Sequence, residues 1–99
     1  MTRIYISLPI SGRPMEEVAK RCADAKAKYT KDGDVVITPL DAVKDQSLPY
    51  NVCMGKSIEA LMGCDHVVFL GGWSASDGCN LEFQACTIYK IEYHVDAKL

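Results

Sequence analysis

An apolar run, His66-Val67-Val68-Phe69-Leu70, ends in Gly71-Gly72-Trp73 and is followed by Ser74-Ala75-Ser76-Asp77-Gly78-Cys79-Asn80-Leu81-Glu82. Residues 80–90 then carry a helical pattern. A strand, a Gly-containing loop and a helix start therefore meet here, with two carboxylates, Asp77 and Glu82, close by. Amides in a first helical turn lack intrahelical partners, and the dipole there favours negative charge. A Glu in that turn is expected to be ionised, as a carboxylate nucleophile must be. The same position is also common for a surface Glu that only complements the dipole.

A second segment with chemical potential is Ser7-Leu8-Pro9-Ile10-Ser11-Gly12-Arg13, just before another helical run. Free amides, the Ser11 hydroxyl and the Arg13 cation suit a phosphate or another anion. This is not a Walker loop, and Ser-Gly before Pro is also ordinary turn chemistry.

The elements that must position these groups follow from periodicity. Residues 3–8 are β-rich, with Ile4 and Ile6 on one face and Tyr5 and Ser7 on the other. Pro14 suits a first helical position, with Glu16 and Glu17 complementing the dipole. Met15, Val18, Ala19, Cys22, Ala25 and Tyr29 then recur at helical spacing. Val35-Val36-Ile37 is a short apolar strand stopped by Pro39. Residues 41–50 are the least regular, a loop over the strand ends and a candidate lid. Residues 51–64 read as a helix with Met54, Ile58, Leu61 and Met62 inward. A third strand begins around Asp65, and residues 91–95 alternate as a short last one. Strands alternating with helices predict a parallel sheet with helices on both faces. The expected fold is a small flavodoxin/Rossmann-like three-layer α/β sandwich of about four strands in the order 2-1-3-4. Its switch point between strands 1 and 3 would place residues 9–13 beside residues 71–78.

Composition narrows the function classes. The 99 residues form one domain, 1–99, and the 48% apolar content excludes a disordered chain. The net charge of −2 gives no basic stripe for a nucleic-acid polymer. The five cysteines are odd in number and contain no C-x-x-C, so neither a disulfide framework nor a zinc site is expected. Residues 1–7 read as a strand rather than a signal peptide, and no apolar run is long enough to span a membrane. A cytoplasmic protein without metal or membrane contact is expected. His66 and His94 fall on strands and are expected to be structural; Lys44 and Lys56 read as solvated surface charges.

Three pieces of the chain resemble the nucleoside 2-deoxyribosyltransferase superfamily: Ile4-Tyr5-Ile6-Ser7-Leu8-Pro9-Ile10-Ser11-Gly12, Leu61-Met62-Gly63-Cys64-Asp65, and residues 72–82 followed by Ala85. The last is similar to a G-W-x-x-S-x-G-A-x-x-E signature of small members often carried by phages, with Cys79 in place of Ala. The resemblance implies cleavage of the N-glycosidic bond of a 2-deoxynucleoside or its 5′-monophosphate, by hydrolysis or base exchange, without a cofactor. Carried over by position, Glu82 is the nucleophile and Tyr5 orients it. Asp77, offset by about one residue from the family's Asp, is implied to serve protonation or sugar contacts, and Asp65 to stand near the sugar or base. The turn Ile10-Ser11-Gly12-Arg13 is similar to the phosphate loop of 2-deoxynucleoside 5′-phosphate N-hydrolases. Ser7, Pro9, Gly72, Trp73, Ser74, Ser76 and Gly78 complete the implied substrate contacts. Trp73 has two readings, stacking a base or packing over the sheet edge. Against the characterised enzymes, a fifth strand and C-terminal tail are expected to be missing, with Asp96, Lys98 and the terminal carboxylate as what could stand in. The alternative reading is a non-catalytic module that binds or sequesters a nucleotide on the same scaffold. The helix after Gly78 is apolar on several sides, which predicts a homo-oligomer, at least a dimer, through the helices after residues 50 and 78.

Overall fold

The computed structural model describes residues 2–99. Strand β1 (Arg3–Ser7) leads into helix α1 (Met15–Tyr29), and strand β2 (Val35–Ile37) into the short helix α2 (Pro39–Ala42). Helix α3 (Tyr50–Met62), strand β3 (His66–Leu70), helix α4 (Asp77–Tyr89) and strand β4 (Glu92–Asp96) complete the chain, with a 3-10 turn at Trp73–Ala75 before α4. The four strands form one parallel sheet in the order β2-β1-β3-β4, as expected from the alternating pattern.

The period-two alternation of β1 and β3 divides the core. Ile4, Ile6, Val68 and Leu70 face α1 and meet Val18, Cys22 and Ala25. Tyr5, Val67 and Phe69 face the other way and meet Leu61, Ala85 and Cys86 of α3 and α4. Both central strands are thus buried on two faces, as parallel sheets require.

The helices differ from the sequence expectation at four places. Helix α4 starts at Asp77 rather than residue 80, because Ser76 takes the cap position and its Oγ accepts from Cys79 N. Pro14 and Pro49 occupy the cap positions of α1 and α3, and no side chain caps either helix. Residues 39–42 are helical: Thr38 and Asp41 make a capping box around Pro39. Met62, expected inward, is exposed at the end of α3. All five cysteines are free thiols. Among the described residues, no helix is long and apolar enough to cross a membrane, and no cluster of His, Cys, Asp and Glu could hold a metal.

Candidate active site

Glu82 lies on the face of α4 that packs under β1, and its side chain is 4% exposed. Tyr5 OH donates to Oε2 at 2.9 Å and Ser7 Oγ to Oε1 at 2.6 Å. The alternation of β1 puts Tyr5 and Ser7 on the same face, one strand repeat apart, so the two hydroxyls grip the two carboxylate oxygens. Each oxygen keeps a lone pair beyond the one already used. Ser57 of α3 stands near the Tyr5 phenol and acts to lower its pKa, against the larger upward push of burial.

Helix α4 begins three residues earlier than expected, so Glu82 falls in its second turn, beyond the reach of the terminal amides. Burial dominates instead and pushes the carboxyl from an ordinary 4.5 up to about 7, against the Ser7 and Tyr5 hydrogen bonds, which pull it down. The expected fully ionised Glu82 is therefore corrected: near neutral pH it is divided between its two forms. Burial, then the Glu82 charge, pushes the Tyr5 phenol well up, which keeps it a donor.

A cavity of about 280 Å³ opens above Glu82. Leu8, Ile10, Val43, Leu48 and Met54 give it apolar walls, and Gln46, Ser57 and Ser76 give it polar points. No cation lines it. A second, outer pocket of about 450 Å³ adjoins it through Ser11, Tyr50, Ser76 and Gly78, which line both. Arg13 and Asp77 bring opposite charges to the outer pocket, beside Pro9 and Gly72. The Arg13–Glu17 pair is long, at 3.8 Å, and exposed, so it holds the guanidinium weakly. The uncapped amino ends of α1 and α3 add positive dipole ends at this rim of the sheet.

Gly72 and Gly78 allow close approach at the two pockets. Gly72 has φ +86°, and a Cβ there would stand 3.4 Å from an Arg13 guanidinium nitrogen. A Cβ on Gly78 would meet Met54 Sδ at 3.1 Å and the Tyr50 hydroxyl at 3.3 Å, so this position lets α3 and α4 converge at the cavity mouth.

The residues expected at the site divide cleanly. Glu82, Tyr5, Ser7, Ile10, Ser11, Ser76 and Gly78 gather at the inner cavity, and Pro9, Arg13, Gly72 and Asp77 at the outer pocket. Gly12 lies in the turn closed by Arg13 N donating to Ile10 O. Asp65 is not brought there. It precedes β3 at the amino end of the sheet, where its carboxylate accepts from Arg3 N at 2.9 Å. Trp73 is not brought there either; it packs over the sheet edge, stacked on Phe83 at 5.1 Å and against Phe69 at 5.2 Å. Ser74 is exposed, and its carbonyl accepts from Asn80 Nδ2.

Over residues 2–94 the chain matches the family described as Domain of unknown function (DUF4406). The chain belongs to the DUF4406 family. No curated protein matches it. For this DUF4406 chain the site must therefore be read from its own geometry. That geometry adds residues the sequence reading did not assign to the site: Tyr50, Cys53, Met54 and Ser57 of α3, and Val43, Gln46 and Leu48 of the stretch read as a candidate lid. The α3 residues recur at spacings of three, four and seven, one helical stripe. Their signal was a lone Ser in an otherwise apolar row.

Proposed function

We propose that this protein cleaves the N-glycosidic bond of a 2-deoxynucleoside or its 5′-monophosphate, with Glu82 as nucleophile. The observation that carries the reading is a buried carboxylate held by two hydroxyls at the wall of an apolar cavity. In the reaction a Glu82 oxygen forms a bond to C1′ while the C1′–N bond breaks, and its electron pair leaves with the base. By the resemblance Asp77 is the candidate donor of a proton to that base, reaching it from the rim where Ser76 and Gly78 join the outer pocket to the inner cavity. Water, or a second base, then attacks C1′ and frees the carboxylate, giving hydrolysis or transfer. Two carboxyl groups in these roles stabilise and trap an oxocarbenium-like state. The resemblance of residues 4–12 and 72–82 to the nucleoside 2-deoxyribosyltransferases supports the same reading.

The apolar cavity without a cation suits an uncharged base and sugar, and the outer pocket with Arg13 suits a 5′-phosphate. The protein acts as a homo-oligomer in this reading. A groove between α3 and α4, lined by Met54, Ile58, Leu81 and Ile88 and carrying no charged side chain, supports that. Incubation with a panel of deoxynucleosides and deoxynucleotides, with free base measured by chromatography, tests the function. Release of base from at least one member is expected. Binding without release would transfer the site to the alternative, a nucleotide-binding module.

A further inference from the structure

On the opposite face of the sheet from Glu82, five polar side chains form one hydrogen-bonded chain. Glu92 Oε1 lies 3.1 Å from His66 Nδ1, and His66 Nε2 lies 2.7 Å from His94 Nδ1. His94 Nε2 lies 3.1 Å from Tyr29 OH, which lies 2.6 Å from Asp96 Oδ2. The chain runs from an exposed carboxylate to a buried one, across β3, β4 and the end of α1. It has four links. With both imidazoles neutral, His66, His94 and Tyr29 supply only three protons.

We propose that the buried end fixes the direction of donation along this chain, leaving His66 Nδ1, against Glu92, as the place where the cluster takes up its next proton.

The argument runs outward from Asp96. Lys28 Nζ donates to the same carboxylate oxygen at 2.6 Å, so Asp96 is ionised and can only accept. Lys28, then Tyr29, holds its carboxyl down at about 2. Tyr29 must then spend its one proton on Asp96; burial, then Asp96, pushes the phenol up to about 12, so that proton stays. The Tyr29 oxygen can therefore only accept from His94, which makes His94 the Nε2–H tautomer with a bare Nδ1. Two bare nitrogens cannot face each other across 2.7 Å, so His66 donates to that Nδ1 from its own Nε2. A neutral His66 then turns a bare Nδ1 toward a carboxylate, an acceptor facing an acceptor.

One proton on His66 Nδ1 repairs this link and breaks none. The charge then sits 3.1 Å from the Glu92 carboxylate; shifting the shared proton across the 2.7 Å link to His94 Nδ1 would carry it away from Glu92 and toward the Lys28 ammonium. Burial, then the neighbouring His66, pushes His94 down, in the same sense. The charged groups facing the pair are Glu92 and Asp96 from β4 and Lys28 from α1. On the β1 side His66 is paired in register with Ile4, which brings no charge, and Arg3 is engaged with the Gly63 carbonyl. The two histidines are thus unequal: His94 is a fixed relay, and His66 is the proton-binding member, which ties the outer strand β4 to β3 when loaded.

Nitrogen-15 chemical shifts of the imidazoles across a pH titration test this on the intact protein. On the alkaline side both rings should be Nε2–H tautomers, and on acidification His66 Nδ1 should be the first nitrogen to gain a proton. Tyr29→Phe removes the acceptor that orients His94 and should abolish its single tautomer, giving a mixture. An Nδ1–H tautomer at His94, first protonation there, or an unchanged His94 tautomer in Tyr29→Phe would each overturn the proposal.

Discussion

Glu82 carries a cost that a surface carboxylate does not. An acid whose folded value lies above its unfolded one binds protons more tightly when folded. Its contribution to stability is fully present below about 4.5 and is lost as the pH rises through about 7. The shift corresponds to about 3 kcal/mol across that window. Glu82→Gln keeps the shape and removes the titration. The variant should gain stability relative to wild type by about that amount between the acid and alkaline ends, as measured by urea unfolding at each. Parallel pH profiles for the two proteins would show that Glu82 is not desolvated as described.

The same two hydroxyls that grip Glu82 set its working range. A nucleophile must be ionised, so base release should rise with pH through about 7 in wild type. Ser7→Ala deletes one of the two bonds that pull the carboxyl down and should move that limb to higher pH. A limb that stays in place would remove Ser7 from the description of the site.

At the level of elements, the proposed function predicts that the turn between β1 and α1 separates two ligand classes. Arg13 is the cation of the outer pocket and does not line the inner cavity. Arg13→Ala should weaken binding of a deoxynucleoside monophosphate by about tenfold or more and leave binding of the nucleoside nearly unchanged, because a charge-assisted bond contributes about 1.5–3 kcal/mol. Calorimetry with both ligands decides it, and equal losses would rule out a phosphate role for the turn.

The strands and long helices were legible because their patterns are periodic and their breaks carry Gly or Pro. Less regular signals misled in ways that topology explains. Gly78 in the first turn of α4 disguised the helix start, since Gly is a poor helix former. That error placed Glu82 at a dipole end and hid its burial. Asp65 was drawn to the site by its motif. A residue that precedes a parallel strand lies at the amino end of the sheet, away from the rim where ligands bind. Trp73 had two readings, and the neighbouring Phe69, Phe83 and Tyr93 complete an aromatic cluster that takes it.

At the scale of the whole molecule, an apolar groove runs between α3 and α4. Leu81, Ile88 and Tyr89 are 48%, 65% and 62% exposed there, with nothing from the described residues over them. Contiguous apolar surfaces of this kind favour association. The homo-oligomer proposed above predicts a dimer or larger species by light scattering at micromolar concentration. Ile88→Lys should dissociate it without unfolding the domain, since Ile88 contributes little to the monomer's core. A wild-type monomer would contradict that arrangement and leave the Glu82 chemistry untouched.

In the proposed reaction Glu82 forms a bond to the anomeric carbon. That bond can be trapped by incubation with a 2-fluoro-2-deoxynucleoside, whose glycosyl-enzyme is resolved slowly, and read by peptide mass spectrometry. A fluorodeoxyribosyl adduct on the peptide containing Glu82, absent from Glu82→Gln, is the predicted result. Base release by wild type with no adduct at Glu82, or full activity in Glu82→Gln, would contradict it.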